Sequence, residues 1–162
     1  MDSLTIDIIS NSLEETHQIG RSLGSAIVAR TLIALRGDLG SGKTAFVQGL
    51  AQGLDVPDHY YIVSPTFTLV NDYPGRLRLF HVDVYRLSGA TDLNDLGLDE
   101  IMAEDGVVAI EWAEKLPDGL WGDHIVIDLI IVNDVSRQLR ICAVGKEMIS
   151  FCRSLQGSYE KE

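Results

Sequence analysis

The segment GDLGSGKT at 37–44 has the spacing of a phosphate-binding loop, with glycine, four residues, and then glycine, lysine and threonine. Its glycines allow tight turns that point successive backbone N–H groups at phosphate oxygens. Lys43 can then reach the β- and γ-phosphates, and the hydroxyl of Thr44 can ligate Mg²⁺. A helix that begins near Lys43 would direct its positive N-terminal end at the same anion.

The flanks of this segment have the patterns that a phosphate-binding loop requires. The apolar run at 31–36 predicts a buried parallel strand before the loop. After the loop, apolar residues recur at helical spacing from Phe46 to Leu54. This order favours a phosphate-binding loop over an ordinary glycine-rich turn. The residues predicted to contact the phosphates are Asp38, Leu39, Gly40, Ser41, Gly42, Lys43, Thr44 and Ala45.

Two acidic residues are candidates for metal binding and hydrolysis. Glu111 ends the apolar run VVAI, so we expect it at the carboxyl end of a central strand, where open α/β sheets bind ligands. Asp83 lies in an alternating segment that places it on one face with His81 and Tyr85. The alternatives are a surface acid for Glu111, and for Asp83 an ion pair with a neighbour such as Arg86. The predicted Mg²⁺ ligands are Thr44, Asp83 and Glu111, and the predicted catalytic residues are Lys43, Asp83 and Glu111.

Three further features concern the nucleotide and its surroundings. The segment SPTFT at 64–68 could sense the γ-phosphate through its hydroxyl groups, with Thr66 as the predicted contact, although an ordinary loop has the same composition. Trp112 directly follows Glu111. It could be a core tryptophan, or it could shield the site or contact a partner. The Asn-Lys-x-Asp segment typical of guanine specificity does not occur in the sequence, which favours ATP over GTP.

Length and composition favour one cytoplasmic domain without direct contact to nucleic acid. The 162 residues are 46% hydrophobic, which suits a substantial core and disfavours intrinsic disorder. No apolar run could span a membrane, and the first residues carry acids where a signal peptide needs bases. The net charge of −11 disfavours direct binding to nucleic acid, which needs a basic surface. Ten acids and one base lie between Leu87 and Asp123, forming a solvated face or a surface for a basic protein partner.

The remaining patterns predict an α/β fold, a three-layer P-loop NTPase-like domain with a mixed, mainly parallel central sheet. Residues 1–155 form the single nucleotide-binding domain, and residues 156–162 form a flexible tail. Ser12 opens a helix that ends near Val28, and its glycines Gly20 and Gly24 would permit close packing. The other expected elements are an edge strand at 5–9, a hairpin around 74–75, one or two short helices at 92–103 interrupted at Gly97, a loop at 117–122, strands at 125–132 and 138–144, and a helix at 146–155.

Taken together, these motifs make the chain resemble the TsaE (YjeE) family, small bacterial P-loop ATPases of tRNA threonylcarbamoyladenosine synthesis. The likeness runs from about Ser12 to Leu120. Two residues depart from the family pattern, since Ser41 replaces a common alanine and Ala113 replaces a frequent proline. The matching blocks are GDLGSGKT at 37–44, SPTFTLVNDY at 64–73, HVDVYRL at 81–87, and LGLDE at 96–100 followed by IEWAE at 110–114.

The resemblance implies an ATPase that acts with partner proteins. Members of the family bind a heterodimer of the TsaB and TsaD type, in which TsaD transfers a threonylcarbamoyl group to an adenosine beside the tRNA anticodon. ATP hydrolysis by TsaE resets this complex, so the expected enzyme is a Mg²⁺-dependent ATPase that is weak alone and activated by its partner. The implied roles are phosphate and Mg²⁺ binding for Lys43 and Thr44, Mg²⁺ binding and hydrolysis for Asp83 and Glu111, and activity for Trp112.

Two other functional classes are compatible with a phosphate-binding loop. A small-molecule P-loop kinase would need an acceptor pocket and usually an arginine-rich lid, and the sequence has no arginine cluster of that kind. A non-hydrolysing nucleotide-binding adaptor would keep the loop and lose acidic catalysis. ATP turnover with and without the partner heterodimer separates the three classes.

Overall fold

A computed structural model describes residues 2–65, 69–87 and 95–159, which build a sheet flanked by helices. Short 3-10 turns at Ala113–Lys115 and Asp118–Leu120 follow the fifth strand. The strands are β1 (Ser3–Ser10), β2 (Thr31–Arg36), β3 (Val70–Tyr73), β4 (Leu79–Asp83), β5 (Val107–Glu111), β6 (His124–Ile131) and β7 (Arg137–Val144). The helices are α1 (Leu13–Ala26), α2 (Lys43–Gly53), α3 (Leu98–Met102) and α4 (Lys146–Tyr159).

The sheet has a parallel centre and antiparallel edges. Within the described residues its seven strands follow the order β1-β7-β6-β2-β5-β4-β3. The strands β4, β5, β2 and β6 run parallel, whereas β3 at one edge and β7 and β1 at the other pair antiparallel. The predicted mixed sheet is therefore confirmed. Glu111 is the register partner of both Leu35 and Asp83, so these strand ends meet at one edge of the sheet.

Helices cover both faces of the sheet, which confirms the predicted three-layer architecture. One core packs α1, α2 and α4 against the face that carries Leu35 and Ala109. The other core packs α3 and the chain after β5 against the face that carries Ala34 and Ile110. Every residue of β5 is buried, as a near-continuous apolar run in a central parallel strand predicts. In the part of the chain described here, no helix has the length and apolar character needed to cross a membrane.

The helices α1 and α2 are in close backbone contact because glycines line their crossing. A methyl group added at Gly20 would lie 2.4 Å from the carbonyl oxygen of Phe46, and one added at Gly49 would lie 2.1 Å from that of His17. The close packing predicted for the glycines of α1 is confirmed, and α2 contributes glycines of its own. The glycines at the crossing are Gly20, Gly24, Gly49 and Gly53.

The start of α1 has the predicted capping residues with one change in their contacts. The hydroxyl oxygen of Ser12 accepts a hydrogen bond from the backbone N–H of Glu15 at 3.1 Å, as in a capping box. The Glu15 carboxylate, however, accepts from the backbone N–H of Asn11 at 2.6 Å instead of reaching Ser12. The cap is therefore reciprocal, and its second hydrogen bond begins one residue earlier than the motif predicts.

Element boundaries differ from the predictions at several places. The helix α1 ends at Ala26, before the predicted end near Val28. The loop expected at 117–122 contains a 3-10 turn. In the helical region predicted at 92–103, α3 begins directly after Gly97, as the interruption predicted at that glycine requires, and residues 92–94 lie outside the described part. The helix α4 continues to Tyr159, so it includes residues 156–159 that the sequence assigned to the tail.

Arg76, in the turn between β3 and β4, joins the ends of two helices. Its guanidinium donates hydrogen bonds to the carbonyl oxygens of Gly24 at 2.8 Å, Ile27 at 2.7 Å and Gly53 at 3.2 Å. Carbonyls in the last turn of a helix lack intrahelical partners, and a cation there also complements the helix dipole. One side chain thus fixes the C-terminal ends of α1 and α2 to the hairpin that leads into β4.

We expect Arg76→Ala to lower the free energy of unfolding by about 2 kcal/mol, because carbonyls at two helix ends lose a charged donor. Denaturant titration of the two proteins measures this difference. Arg140→Ala is the control, since Arg140 forms an exposed pair with Asp7 at 3.0 Å, and pairs of this kind contribute less than about 1 kcal/mol. Equal losses in the two variants would contradict the role given to Arg76.

Candidate functional site

The segment at 37–44 forms the turn between β2 and α2, and its backbone explains its glycines. Gly37, Gly40 and Gly42 have φ angles of 152°, 80° and 106°, which favour glycine. At Gly37 a methyl group would also lie 2.6 Å from the carbonyl oxygen of Leu129. The helix α2 begins directly after Gly42, so its unpaired N-terminal N–H groups belong to the loop. This is the strand–loop–helix arrangement of an anion site.

Lys43 is folded back over its own loop. Its ammonium group donates to the carbonyl oxygens of Gly37 at 2.6 Å and Asp38 at 3.1 Å, and it lies 3.8 Å from the centre of the Trp112 ring. The residue is 5% exposed, and this burial lowers the pKa of Lys43 from its ordinary value, although nearby carboxylates oppose the shift. The side-chain nitrogen of Lys43 is therefore held at the loop by neutral carbonyl oxygens, which phosphate oxygens could replace.

Glu111 and Thr44 meet at the end of the loop. The Thr44 hydroxyl lies 3.0 Å and 3.2 Å from the two carboxylate oxygens of Glu111, and it can donate to either. Glu111 is 2% exposed, so the interpretation as a surface acid is wrong. A hydroxyl and a carboxylate are hard oxygen ligands that suit Mg²⁺, which usually takes one or two carboxylates with the rest from phosphates and water. Between them these two residues fit a Mg²⁺ ion that is shared with phosphate.

Asp83 lies beside Glu111 in the sheet register but has different contacts. Its carboxylate accepts hydrogen bonds from the Ser64 hydroxyl at 2.6 Å and from the backbone N–H of Tyr85 at 2.8 Å. The residue is 1% exposed. Asp83 therefore fixes the start of the segment at 64–68 to the end of β4, whereas Glu111 alone of the two acids contacts Thr44 among the described residues.

Trp112 has an unusual backbone for a large residue and covers the loop lysine. Its φ angle is 63°, in the left-handed region that non-glycine residues rarely adopt. The indole ring packs on the Tyr85 ring at 4.8 Å and on the Lys43 ammonium group. Ala113, at the frequent proline position, begins the following 3-10 turn. Trp112 is half-buried: it packs against the core that contains α3, and it also forms a wall of the site.

A cavity of about 410 Å³ gathers most of the predicted site residues. Asp38 contributes its carbonyl to Lys43, and Ser41 lies on the other side of the loop. Thr66 lies outside the described residues. Tyr85 also lines the cavity, and the shared face with Asp83 was the signal that could have identified it. The predicted residues that line the cavity are Leu39, Gly40, Gly42, Lys43, Thr44 and Ala45 from the loop, with Asp83, Glu111 and Trp112 from the strand ends.

A second cavity of about 320 Å³ lies on the opposite side of the loop, and it also touches Gly40 and Gly42. Arg137 of β7 lines it and donates to the carbonyl oxygens of Gly40 at 3.1 Å and Ser41 at 3.2 Å. No local pattern predicted this contact, because the arginine lies far from the loop in sequence. Ser41 is fully buried, and its hydroxyl has no partner among the residues that the structure describes.

Comparison with known proteins gives consistent matches over most of the chain. The family model described as "Threonylcarbamoyl adenosine biosynthesis protein TsaE" matches residues 10–139, which extends beyond the predicted limit near Leu120. The tRNA threonylcarbamoyladenosine biosynthesis protein TsaE of Treponema pallidum (strain Nichols) is 38% identical over 82% of this chain and 97% of its own length. The protein of the same name from Bacillus subtilis (strain 168) is 36% identical over 88% of both chains.

A solved structure extends this similarity to the fold. The crystal structure of Bacillus subtilis YdiB superposes with a TM-score of 0.77 at 30% sequence identity. The match covers 98% of each chain. The layers and sheet described above are therefore similar to those of this protein over nearly the whole length of both chains.

Proposed function

Because this chain belongs to the TsaE family of threonylcarbamoyl adenosine biosynthesis proteins, we propose that it binds ATP with Mg²⁺ and hydrolyses it in that biosynthesis. The contact between Thr44 and Glu111 at the end of the phosphate-binding loop is the observation that carries the proposal. It joins a metal-binding hydroxyl to a buried carboxylate beside the helix end at which phosphates bind.

The two cavities on either side of the loop suggest how ATP lies. Thr44 and Glu111 mark the end that holds the γ-phosphate, and the loop backbone holds the rest of the triphosphate. In this arrangement the nucleoside extends past Gly40 and Gly42 and lies in the second cavity. There Leu13 and Val135, each 65% exposed, offer apolar surface for a base.

Each site residue has a separate task in the proposed reaction. Lys43 exchanges the carbonyls of its own loop for phosphate oxygens, and Trp112 closes the site against bulk water. Thr44 and Glu111 hold Mg²⁺, which when bound neutralises charge on the β- and γ-phosphate oxygens. Asp83 fixes the segment that starts at Ser64, and from its position beside Glu111 its carboxylate can orient the attacking water.

We expect ATP to bind at least about tenfold more tightly than GTP, a difference of about 1.4 kcal/mol. The reason is that the chain lacks the Asn-Lys-x-Asp segment that reads guanine. Competition of ATP and GTP against a fluorescent ATP analogue, at fixed Mg²⁺, measures the ratio. Equal or tighter binding of GTP would reject the preference.

We further propose that a heterodimer of the TsaB and TsaD type is the partner and supplies the contacts to tRNA. A net charge of −11 repels a phosphate backbone. The segment from Asp95 to the start of β5 presents exposed acids that would suit a basic protein surface. These acids are Asp95, Asp99, Glu100, Glu104 and Asp105, while Asp92 lies outside the described residues.

Addition of the heterodimer should raise ATP turnover, because a partner can complete the positioning of the groups around Mg²⁺ and the γ-phosphate. Charge reversal to lysine at Asp95, Asp99 and Glu100 should weaken this activation severalfold. The control reverses three exposed acids elsewhere, Glu14, Asp58 and Glu147, and so has the same net charge. Turnover is measured against heterodimer concentration at fixed salt, alongside tRNA binding by this chain alone.

Three results of this assay would redirect the proposal. Tight tRNA binding by the isolated chain at physiological salt would contradict the proposal that the heterodimer supplies the contacts to tRNA. Transfer of the γ-phosphate to an acceptor other than water would indicate a kinase. ATP binding without turnover, in the presence and absence of the heterodimer, would indicate an adaptor.

A further inference from the structure

His81 is a histidine in the middle of β4 whose ring nitrogen Nε2 contacts the carboxylate of Glu111. Its side chain is fully buried, and Glu111 is 2% exposed, so the contact is shielded from water. The chemistry proposed for the phosphate-binding loop makes no use of this residue. Its position against a buried carboxylate nevertheless bears directly on how that carboxylate is held.

The contact completes a row of three side chains that runs from β4 through β5 to α2. Thr44 lies 3.0 Å and 3.2 Å from the two oxygens of Glu111, and His81 holds the oxygen Oε2. Within the described part of the chain, these two residues make the hydrogen bonds to the carboxylate. The terminal torsion of a glutamate is broad, so a fixed donor at one oxygen decides the plane of the group.

The second ring nitrogen separates this contact from ordinary core packing. Nδ1 of His81 is buried and has no hydrogen-bond partner among residues 2–65, 69–87 and 95–159. Because a carboxylate oxygen accepts, Nε2 carries the proton that is donated to Glu111. Buried polar atoms without partners are unfavourable, and an apolar side chain would avoid one here. Compared with an apolar side chain at this position, the histidine gains, from the described part of the chain, only the hydrogen bond to Glu111.

We infer that His81 is a positioning residue that orients the Glu111 carboxylate toward Thr44, and that it supports ATP hydrolysis more than ATP binding. The inference rests on the proposed ATP hydrolysis. The loop at 37–44 holds the phosphates without help from His81, so a misoriented Glu111 leaves ATP affinity largely intact. Replacement of a residue that orients a metal ligand in this way typically lowers activity by about tenfold to hundredfold.

The kinetic test compares two replacements of His81 in the full chain. His81→Leu removes the donor and should lower kcat by about tenfold to hundredfold, with KM for ATP within about twofold. His81→Gln, whose amide nitrogen can still donate to Oε2, should recover most of the loss. In a Glu111→Gln background, His81→Leu should add little. Equal losses in the two variants, or a loss of ATP affinity that parallels kcat, would overturn the inference.

If His81→Leu does not fold, His81→Asn takes its place, because the shorter amide cannot reach Oε2. His81→Gln should then remain several times more active than His81→Asn. Equal activity of the two would overturn the inference, since a role in packing alone does not distinguish between them.

A spectroscopic test does not depend on turnover. In protein with ¹⁵N-labelled histidine, the His81 ring should have its proton on Nε2, and Glu111→Gln should shift its resonances. The signal is assigned by its loss in the His81 variants. A ring with its proton on Nδ1 alone, and none on Nε2, would overturn the inference whether or not the protein hydrolyses ATP. Absence of turnover in the unchanged protein, with and without the heterodimer, would instead overturn the proposed function, and the NMR result would still decide whether His81 holds Glu111.

Discussion

Glu111→Gln should lower ATP turnover by about a hundredfold or more and leave ATP binding close to that of the unchanged protein. Glutamine has nearly the same shape, so it keeps the contact with Thr44 at one oxygen. It loses the negative charge that we propose holds the Mg²⁺ ion. We expect the affinity for ATP to come mainly from the loop backbone and Lys43, which the substitution leaves in place.

Single-turnover hydrolysis and equilibrium binding of ATP, both at saturating Mg²⁺, measure the two quantities separately. Glu114→Gln is the matched control, because the same chemical change occurs three residues further along at an exposed position. The control should retain turnover. Near-normal turnover in Glu111→Gln, or a loss of ATP binding as large as the loss of turnover, would remove Glu111 from the proposed role.

Gly49→Ala should destabilise the protein by about 3 kcal/mol, the largest effect on stability that we expect from a single methyl group. The added carbon would lie 2.1 Å from the carbonyl oxygen of His17, which is backbone and cannot rotate away. The two helices would have to separate along their glycine crossing. Alanine favours a helix over glycine by about 1 kcal/mol, and this gain offsets only part of the cost.

Thermal unfolding should show a decrease in Tm of roughly 6–12 °C for a chain of this size. Gly119→Ala is the control, because a methyl group added at Gly119 meets nothing within 4 Å. It should leave Tm nearly unchanged. A fully stable Gly49→Ala protein would mean that α1 and α2 can separate without cost, and that their contact does not fix the position of the loop.

The features that were predictable from sequence are those that depend on neighbouring residues. The loop at 37–44, the buried runs of β2 and β5, and the exit of Glu111 at a strand end all follow from spacing and alternation. The glycines of α1 predicted a close helix contact, because an absent side chain at helical spacing has a direct geometric consequence.

The features that were not predictable depend on residues brought together from distant parts of the chain. Arg76 and Arg137 are ordinary arginines in sequence, and only the fold brings them to helix ends and to loop carbonyls. Asp83 and Glu111 have different contacts because only the Glu111 side chain faces Thr44, and the sequence pattern does not indicate which of the two acids does so. The left-handed backbone of Trp112 likewise has no local signal, since its residue type disfavours that conformation.

The contact between Arg137 and the loop affects the order in which parts of the protein can fold during synthesis. The loop leaves the ribosome early, but the strand β7 that carries Arg137 follows about ninety residues later. The first strand, β1, pairs with the same β7, and β6 lies between β7 and β2. A nascent chain that ends before β7 therefore has an unpaired strand edge and a loop without its arginine, so we expect the proposed competence to bind nucleotide to arise only after β7 has been added.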